Sequence, residues 1–228
     1  MYSVNSKYLK TLSHKNVFWQ IPTEKKELFL TFDDGPVPGV TDFVLDELDK
    51  YQAKTTFFCV GDNIRKHPEL FNRIIEDGHS VGNHTFHHLN GWKHSLRSYV
   101  NNIRMCDSLA GSKLFRPPYG RFTPMQRFVL QKDHFIILWS VLPGDFDMSL
   151  SAVNCLNRAI KHSCNPGSII VFHDSLKTFK KLQYVLPAFL DHYTQLGFTF
   201  SGISEQLCQE VIDERRKKLV HQISLGMI

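Results

Sequence analysis

Two hydrophobic rhythms take turns along this chain, one of strand type and one of helical type. Glu27–Phe32 is an apolar run of strand length that ends at Asp33, with turn chemistry in Gly35-Pro36. Thr41–Tyr51 places Phe43, Val44 and Leu48 at helical spacing, and Thr55–Val60 is a β-branched, aromatic strand. Pro68–Asp77 predicts a helix with proline near its first turn and Gly78 as its stop. Ser80–Asn83 predicts a short strand, Arg97–Leu109 an amphipathic helix, Lys113–Phe115 a short extended piece and Pro124–Lys132 a helix. Phe135–Trp139 reads as a strong strand, and Ser149–His162 as a helix capped by Ser149. Ser168–Phe172 follows as a strand, then Thr178–Leu196 as a helix interrupted or bent at Pro187. Phe198–Phe200 is a last short strand and Ser204–Val220 a terminal helix.

Strands alternating with helices imply a parallel sheet covered by helices, an α/β fold. No linker, low-complexity stretch or internal repeat divides the 228 residues, which suit one domain with one substantial core. The polar signals fall just after strands: Asp33-Asp34, His84 and His88, Asp145, and His173-Asp174. In a parallel barrel the C-terminal strand ends meet on one face, so these distant residues are expected to converge there.

Composition narrows the partners. The formal net charge is +5, and no basic stripe with interleaved aromatics appears, so nucleic acid is not the expected partner. The charged run Asp213–Lys218 reads as a solvated helix face. Five scattered cysteines without a Cys-x-x-Cys pair, at 59, 106, 155, 164 and 208, read as buried or incidental thiols. Met1–Lys7 lacks an apolar core of leader type and no run could span a bilayer, so a cytoplasmic protein is the default expectation, and a trimmed exported chain would look the same.

The chemistry lies in two segments. Thr31-Phe32-Asp33-Asp34-Gly35-Pro36 sets two adjacent carboxylates at a strand end, and His84-Thr85-Phe86-His87-His88 sets two imidazoles four residues apart. One carboxylate and two imidazoles form a ligand set for a catalytic divalent metal with open positions. His87 breaks the spacing and is not counted as a ligand. The second carboxylate is left beside the metal, where a general base belongs, which suggests a hydrolase that attacks with metal-activated water.

Five motifs in order then resemble the polysaccharide deacetylase family of the NodB-homology type, carbohydrate esterase family four. They are Thr31–Pro36, Gly82–His88, Phe115-Arg116-Pro117-Pro118-Tyr119-Gly120, Trp139–Phe146 and Ile170-Val171-Phe172-His173-Asp174, within roughly residues 27 to 200. The resemblance implies a single-domain, distorted (β/α)7-type barrel over 27–203, with an N-terminal extension over 1–26 and a C-terminal helix and tail over 204–228. It implies that Asp34, His84 and His88 hold the metal and that Asp33 is the catalytic base, kept ionised and oriented by Arg116. The backbone N–H of Tyr119 is expected at the oxyanion, His173 as general acid and Asp145 as its partner. Zinc is the expected ion, with cobalt, manganese or nickel compatible with the same ligands.

Tyr119, Pro118, Trp139 and Phe146 are the expected substrate contacts; Trp139 and Phe146 read equally as barrel core. The fourth motif departs from the family's usual Asp-x-x-Asp-Trp, because Leu142 replaces the first Asp and Phe146 the Trp, while Asp145 remains. Val171 and Leu89 are milder departures. The implied activity is removal of acetyl groups from an N-acetylglucosamine-containing glycan. The alternatives are an O-acetyl esterase on the same site, a non-catalytic glycan-binding module, and a metal-independent amidohydrolase. Oligomeric state stays open.

Overall fold

The computed structural model describes residues 16–163 and 165–224; Met1–Lys7 and Cys164, read above, lie outside them. The strands are β1 (Val17–Phe18), β2 (Glu27–Asp33), β3 (Thr56–Cys59), β4 (Ser80–Asn83), β5 (Leu114–Phe115), β6 (Phe135–Ile137), β7 (Ile169–His173) and β8 (Thr199–Phe200). The helices are α1 (Val40–Lys50), α2 (Gly61–Lys66), α3 (Pro68–Glu76), α4 (Leu96–Ala110), α5 (Pro124–Leu130), α6 (Ala152–His162), α7 (Phe179–Gln195) and α8 (Glu205–Ser224). Single 3-10 turns occupy Gly91–Lys93 and Pro118–Gly120.

The strand order is β1-β6-β5-β4-β3-β2-β7, with β8 on β2. Every pair of named strands is parallel. The ring closes beyond β6, where Val141 bridges Ile170 of β7: Val141 N–H donates to the Ile169 carbonyl at 3.0 Å, and Val171 N–H donates to Val141 at 3.0 Å. The result is the expected (β/α)7-type barrel in a single domain.

Strand alternation divides β2 between two environments. Leu28, Leu30 and Phe32 join the layer between barrel and helices, with Val44 and Leu48 of α1 and Leu186 and Phe189 of α7. Phe29 belongs to a second cluster with Phe58, Leu114, Ile137 and Ile169. Cys208, Val211 and Ile212 of α8 pack onto that cluster, closing the barrel at the end opposite Asp33. The next residues of Phe29's register, Thr31 and Asp33, carry the polar chemistry upward.

Several local expectations are corrected. Ser151, not Ser149, caps α6: its Oγ accepts from Asn154 N–H at 3.2 Å, while Ser149 Oγ donates to Asp147 in the preceding loop at 2.7 Å. α7 continues through Pro187 as one element rather than being interrupted. The strand read as Phe135–Trp139 ends at Ile137, which leaves Trp139 in the loop above it. Val17–Phe18, within the expected extension, pairs with β6. Arg215 leaves the solvated run, because its guanidinium lies 5.1 Å from the Phe18 ring centroid. Cys59, Cys106, Cys155 and Cys208 are free and buried. No helix among the described residues is long and apolar enough to cross a membrane.

Candidate active site

The carboxyl ends of β2, β4, β5 and β7 and the loop after β6 surround a cavity of about 480 Å³. Asp33, the last residue of β2, lies in register with His173, the last of β7. Below it Arg116 is wholly buried. Its guanidinium donates to Asp33 Oδ1 at 2.7 Å, to Thr31 Oγ1 at 2.6 Å and to the Ile137 and Leu138 carbonyls, each at 3.1 Å. It also lies 4.1 Å from the Phe58 ring centroid. Burial lowers the Arg116 pKa, and the adjacent carboxylate of Asp33 opposes that. An ion pair this deep is tolerated because the hydrogen-bonding nitrogens meet acceptors.

Asp34 turns the other way. Its φ of 87° is left-handed, and Asn63 Nδ2 donates to its carbonyl at 2.7 Å. The turn is held from beneath by Asp174, a buried carboxyl that sequence reading left without a role. Asp174 accepts from Gly35 N–H at 3.0 Å and from Thr41 Oγ1 at 2.6 Å. Gly35 is required there, since a Cβ would sit 2.0 Å from Asp174 Oδ2. Burial pushes the Asp174 carboxyl up to about 8, against the pull of the Thr41 bond. The signal for this role was the pairing of a strand-end Asp with a glycine turn, which sequence spacing alone does not connect.

The histidine loop is equally fixed. Asn83 ends β4; its Nδ2 donates to Ile103 O at 2.8 Å and to Asp107 at 2.6 Å, and its Oδ1 accepts from Thr85 N–H at 2.6 Å. Asn102 of α4 accepts from the N–H groups of Phe86 and His87 and contacts His87 Nδ1 at 2.8 Å, drawing His87 away from the ligand cluster. His84 Nδ1 lies 2.8 Å from the Arg116 carbonyl. That contact makes Nδ1 the protonated nitrogen and leaves Nε2 as the lone-pair donor. His88 Nε2 is 3.1 Å and His84 Nε2 is 3.8 Å from Asp34 Oδ1. The ligand atoms of Asp34, His84 and His88 all lie within 4.8 Å of one another. Burial lowers the His84 pKa to about 4, so its ring is neutral near pH 7. Burial raises Asp34, but the His88 hydrogen bond and the charges of His173, His84 and His88 hold its carboxyl well below the usual range. A neutral imidazole and an ionised carboxylate converging at this spacing fit a divalent cation.

On the opposite wall, Asp145 is wholly buried and grips His173 twice: Oδ2 accepts from His173 N–H at 2.7 Å, and Oδ1 lies 2.9 Å from Nδ1. Burial alone would lower the His173 pKa, yet Asp145, with Asp34 and Asp33 behind it, lifts it to about 10. The Phe146 ring meets the imidazole edge-on at 5.3 Å.

Among the expected substrate contacts, Tyr119, Trp139 and Phe146 line the cavity. Tyr119 is 59% exposed, and its ring lies edge-on to His88 at 4.8 Å. Trp139 is partly buried and also packs against the barrel core, as its second reading expected. Pro118 is buried under the turn and is not on the cavity wall, a correction that follows from its place at the start of the 3-10 turn. Arg121, Leu142, Val171, Ser175, Lys177 and Thr178 complete the wall; Arg121, Ser175, Lys177 and Thr178 carried no sequence signal, because loop residues show no periodicity. Asp34, Thr85, His88 and Tyr119 all have positive φ; among the described non-glycine residues only Gln52 shares it. Backbone strain is thus concentrated at this one site.

The family model for polysaccharide deacetylase matches residues 20–135. A peptidoglycan-N-acetylglucosamine deacetylase of Bacillus cereus is 30% identical over 202 residues, covering 84% of this chain and 92% of its own. A chitooligosaccharide deacetylase of Azorhizobium caulinodans is 30% identical over 192 residues, covering 74% of this chain and 90% of its own. The crystal structure of the Bc1960 peptidoglycan N-acetylglucosamine deacetylase superposes with a TM-score of 0.75 at 32% identity, over 82% of this chain and 91% of that one. With the barrel, the converged motifs and these relatives in agreement, this chain belongs to the polysaccharide deacetylase family.

Proposed function

We propose that this chain is a metal-dependent N-deacetylase of N-acetylglucosamine-containing glycans. The observation that carries the reading is the convergence of Asp34, His84 and His88 beside an Asp33 that is held separately by Arg116. The named activities of the relatives, on peptidoglycan and chitooligosaccharide, support the substrate class.

Asp34, His84 and His88 would hold the cation, which when bound lowers the pKa of water and polarises the acetyl carbonyl. Zinc fits this mixed nitrogen and oxygen set, and cobalt, manganese or nickel would also be accepted. Asp33 takes the proton of the attacking water, its carboxylate aimed by the bond from Arg116. The Tyr119 N–H, which has no acceptor among the described residues, donates to the developing oxyanion. His173, held as a cation by Asp145, gives its proton to the departing amine. An amine leaves poorly without that proton, so the Asp145–His173 pair favours amide over ester cleavage.

Acetate release across chitin oligomers, peptidoglycan, acetylxylan and small N-acetyl sugars, with divalent metal added and then chelated, tests the reading. Release from N-acetylated oligomers that stops on chelation is expected. Release from acetylxylan alone would make the enzyme an O-acetyl esterase. Glycan binding without acetate under every metal tried would make it a binding module.

A further inference from the structure

Asp174 is a buried carboxyl at the head of the barrel with no task in the proposed reaction, yet its contacts tie the reacting groups together. His173 ends β7 and Asp174 comes next, and their side chains go separate ways. The His173 imidazole reaches into the cavity, where Asp145 holds it. The Asp174 carboxyl reaches under the turn that carries Asp34. Its Oδ1 accepts from Gly35 N–H at 3.0 Å, and its Oδ2 accepts from the Thr41 hydroxyl at 2.6 Å. That hydroxyl in turn accepts from Val37 N–H at 2.8 Å. The carboxyl therefore grips the turn at both ends, directly at Gly35 and through Thr41 at Val37. The Asp174 N–H donates to the Asp33 carbonyl at 3.0 Å. Base, metal-ligand turn and acid are thus joined through one residue.

Other bonds hold the turn against β3 rather than β7. Asn63 Nδ2 of α2 donates to the Asp34 carbonyl at 2.7 Å, and Val60 N–H, just after β3, donates to the Gly35 carbonyl at 2.9 Å. Among the hydrogen bonds of the described residues, only those of Asp174 join residues 34–37 to the strand of the general acid. Thr41 and Asp174 are wholly buried and neither lines the cavity, so they act through the groups they hold. In an amide the carbonyl oxygen and the nitrogen share one carbon. The ligands that polarise the first and the imidazole that protonates the second must keep a set spacing, which a shift of about 1 Å spoils.

We propose that Asp174 and Thr41 are a pair of positioning residues that set the spacing between the ligand Asp34 and the acid His173. This rests on the deacetylase reading of the same site. Thr41→Val removes the hydroxyl at nearly constant shape, and Thr41→Ser keeps it. Asp174→Asn is a second route, because it keeps an acceptor for Gly35 and loses the one for Thr41. Each full-length variant is titrated with Co(II) by visible absorption. Then kcat and KM are measured at saturating metal on tetrameric N-acetylglucosamine and on 4-nitrophenyl acetate, whose leaving group needs no proton. Thr41→Val and Asp174→Asn should weaken cobalt binding about tenfold and lower kcat on the amide by roughly 10–100-fold. KM should stay within about twofold, since neither residue meets substrate. The loss on the aryl ester should be about tenfold smaller, because only the amide needs the acid in place. Thr41→Ser should behave as the unaltered protein. Equal losses on amide and ester, unchanged cobalt affinity, or a Thr41→Ser as impaired as Thr41→Val would each overturn the proposal. If the unaltered protein releases acetate from neither compound, the deacetylase reading fails by itself. The cobalt affinities and spectra of the same variants then decide whether the pair positions Asp34.

Discussion

Asp33 and Asp34 are adjacent in the chain and opposite in surroundings. Asp33 points down to a buried guanidinium and Asp34 across to an imidazole pair. On the proposed function, the difference separates binding from chemistry. Asp33→Asn keeps the shape and should keep bound metal, but an amide cannot accept the water proton. Turnover should fall by about 10²–10⁴-fold, with metal content by elemental analysis unchanged. Loss of Arg116 would strand a buried carboxylate, so Arg116→Met should cost about 3–5 kcal/mol in denaturant unfolding. The Asp145–His173 pair governs the alkaline side. His173 titrates near 10 when folded against 6.5 for a free imidazole. The folded protein therefore prefers the imidazolium, and that stabilisation is complete below about pH 6.5 and lost as pH rises towards 10. In Asp145→Asn the burial of His173 is no longer opposed by its nearest charge. The basic limb of the pH–rate profile should move to lower pH; a limb that stays in place would make Asp145 a purely structural residue.

At the scale of elements, capping and closure decide what a sequence can reveal. α6 begins where Ser151 meets Asn154 N–H, so Ser151→Ala should lose about 1 kcal/mol in urea unfolding. Ser149→Ala, which removes an exposed loop contact, should lose much less. The long elements were legible because their patterns are long: β2 is a continuous buried run, and α1, α4 and α7 each bury a periodic face. β1 has two residues and α2 has six, opening on a glycine, too few for a period to show. The cluster of Asp34, His84 and His88 with Asp33, Arg116 and His173 was legible because their side-chain chemistry is rare in that order. The support of the Asp34 turn by Asp174 was not legible, since it joins Asp174 to Gly35 and Thr41, 139 and 133 residues away, through one hydrogen bond each. The cations of the wall were hidden for the same reason: Arg121 and Lys177 stand in loops whose only common property is the place the barrel gives them.

Across the whole molecule, a bound cation should act as a staple among distant strands. Asp34 follows β2 and the histidines follow β4, with β3 between them. Ligand atoms brought together only by folding give the ion no comparable site in the unfolded chain. A divalent metal at a hundred times its dissociation constant should add about 2.7 kcal/mol and raise the thermal midpoint. The His84→Ala, His88→Ala double variant should lose that increment. The barrel is nevertheless uneven around its circumference. β2 and β7 share five register pairs, whereas the chain after β6 meets β7 through one bridge, Val141–Ile170, and a few hydrogen bonds involving Ser140, Val141 and Asp145. Trp139, Leu142 and Phe146 stand on that thinly laced join. A side-chain substitution at Leu142 or Phe146 has almost no ladder to break, while Asp33 and His173 sit on the most heavily laced strands and Asp145, in the same loop, is tied to His173 by two contacts. The fold thereby separates what must stay from what can drift: new substrates can be explored along the join while the reacting groups keep their places.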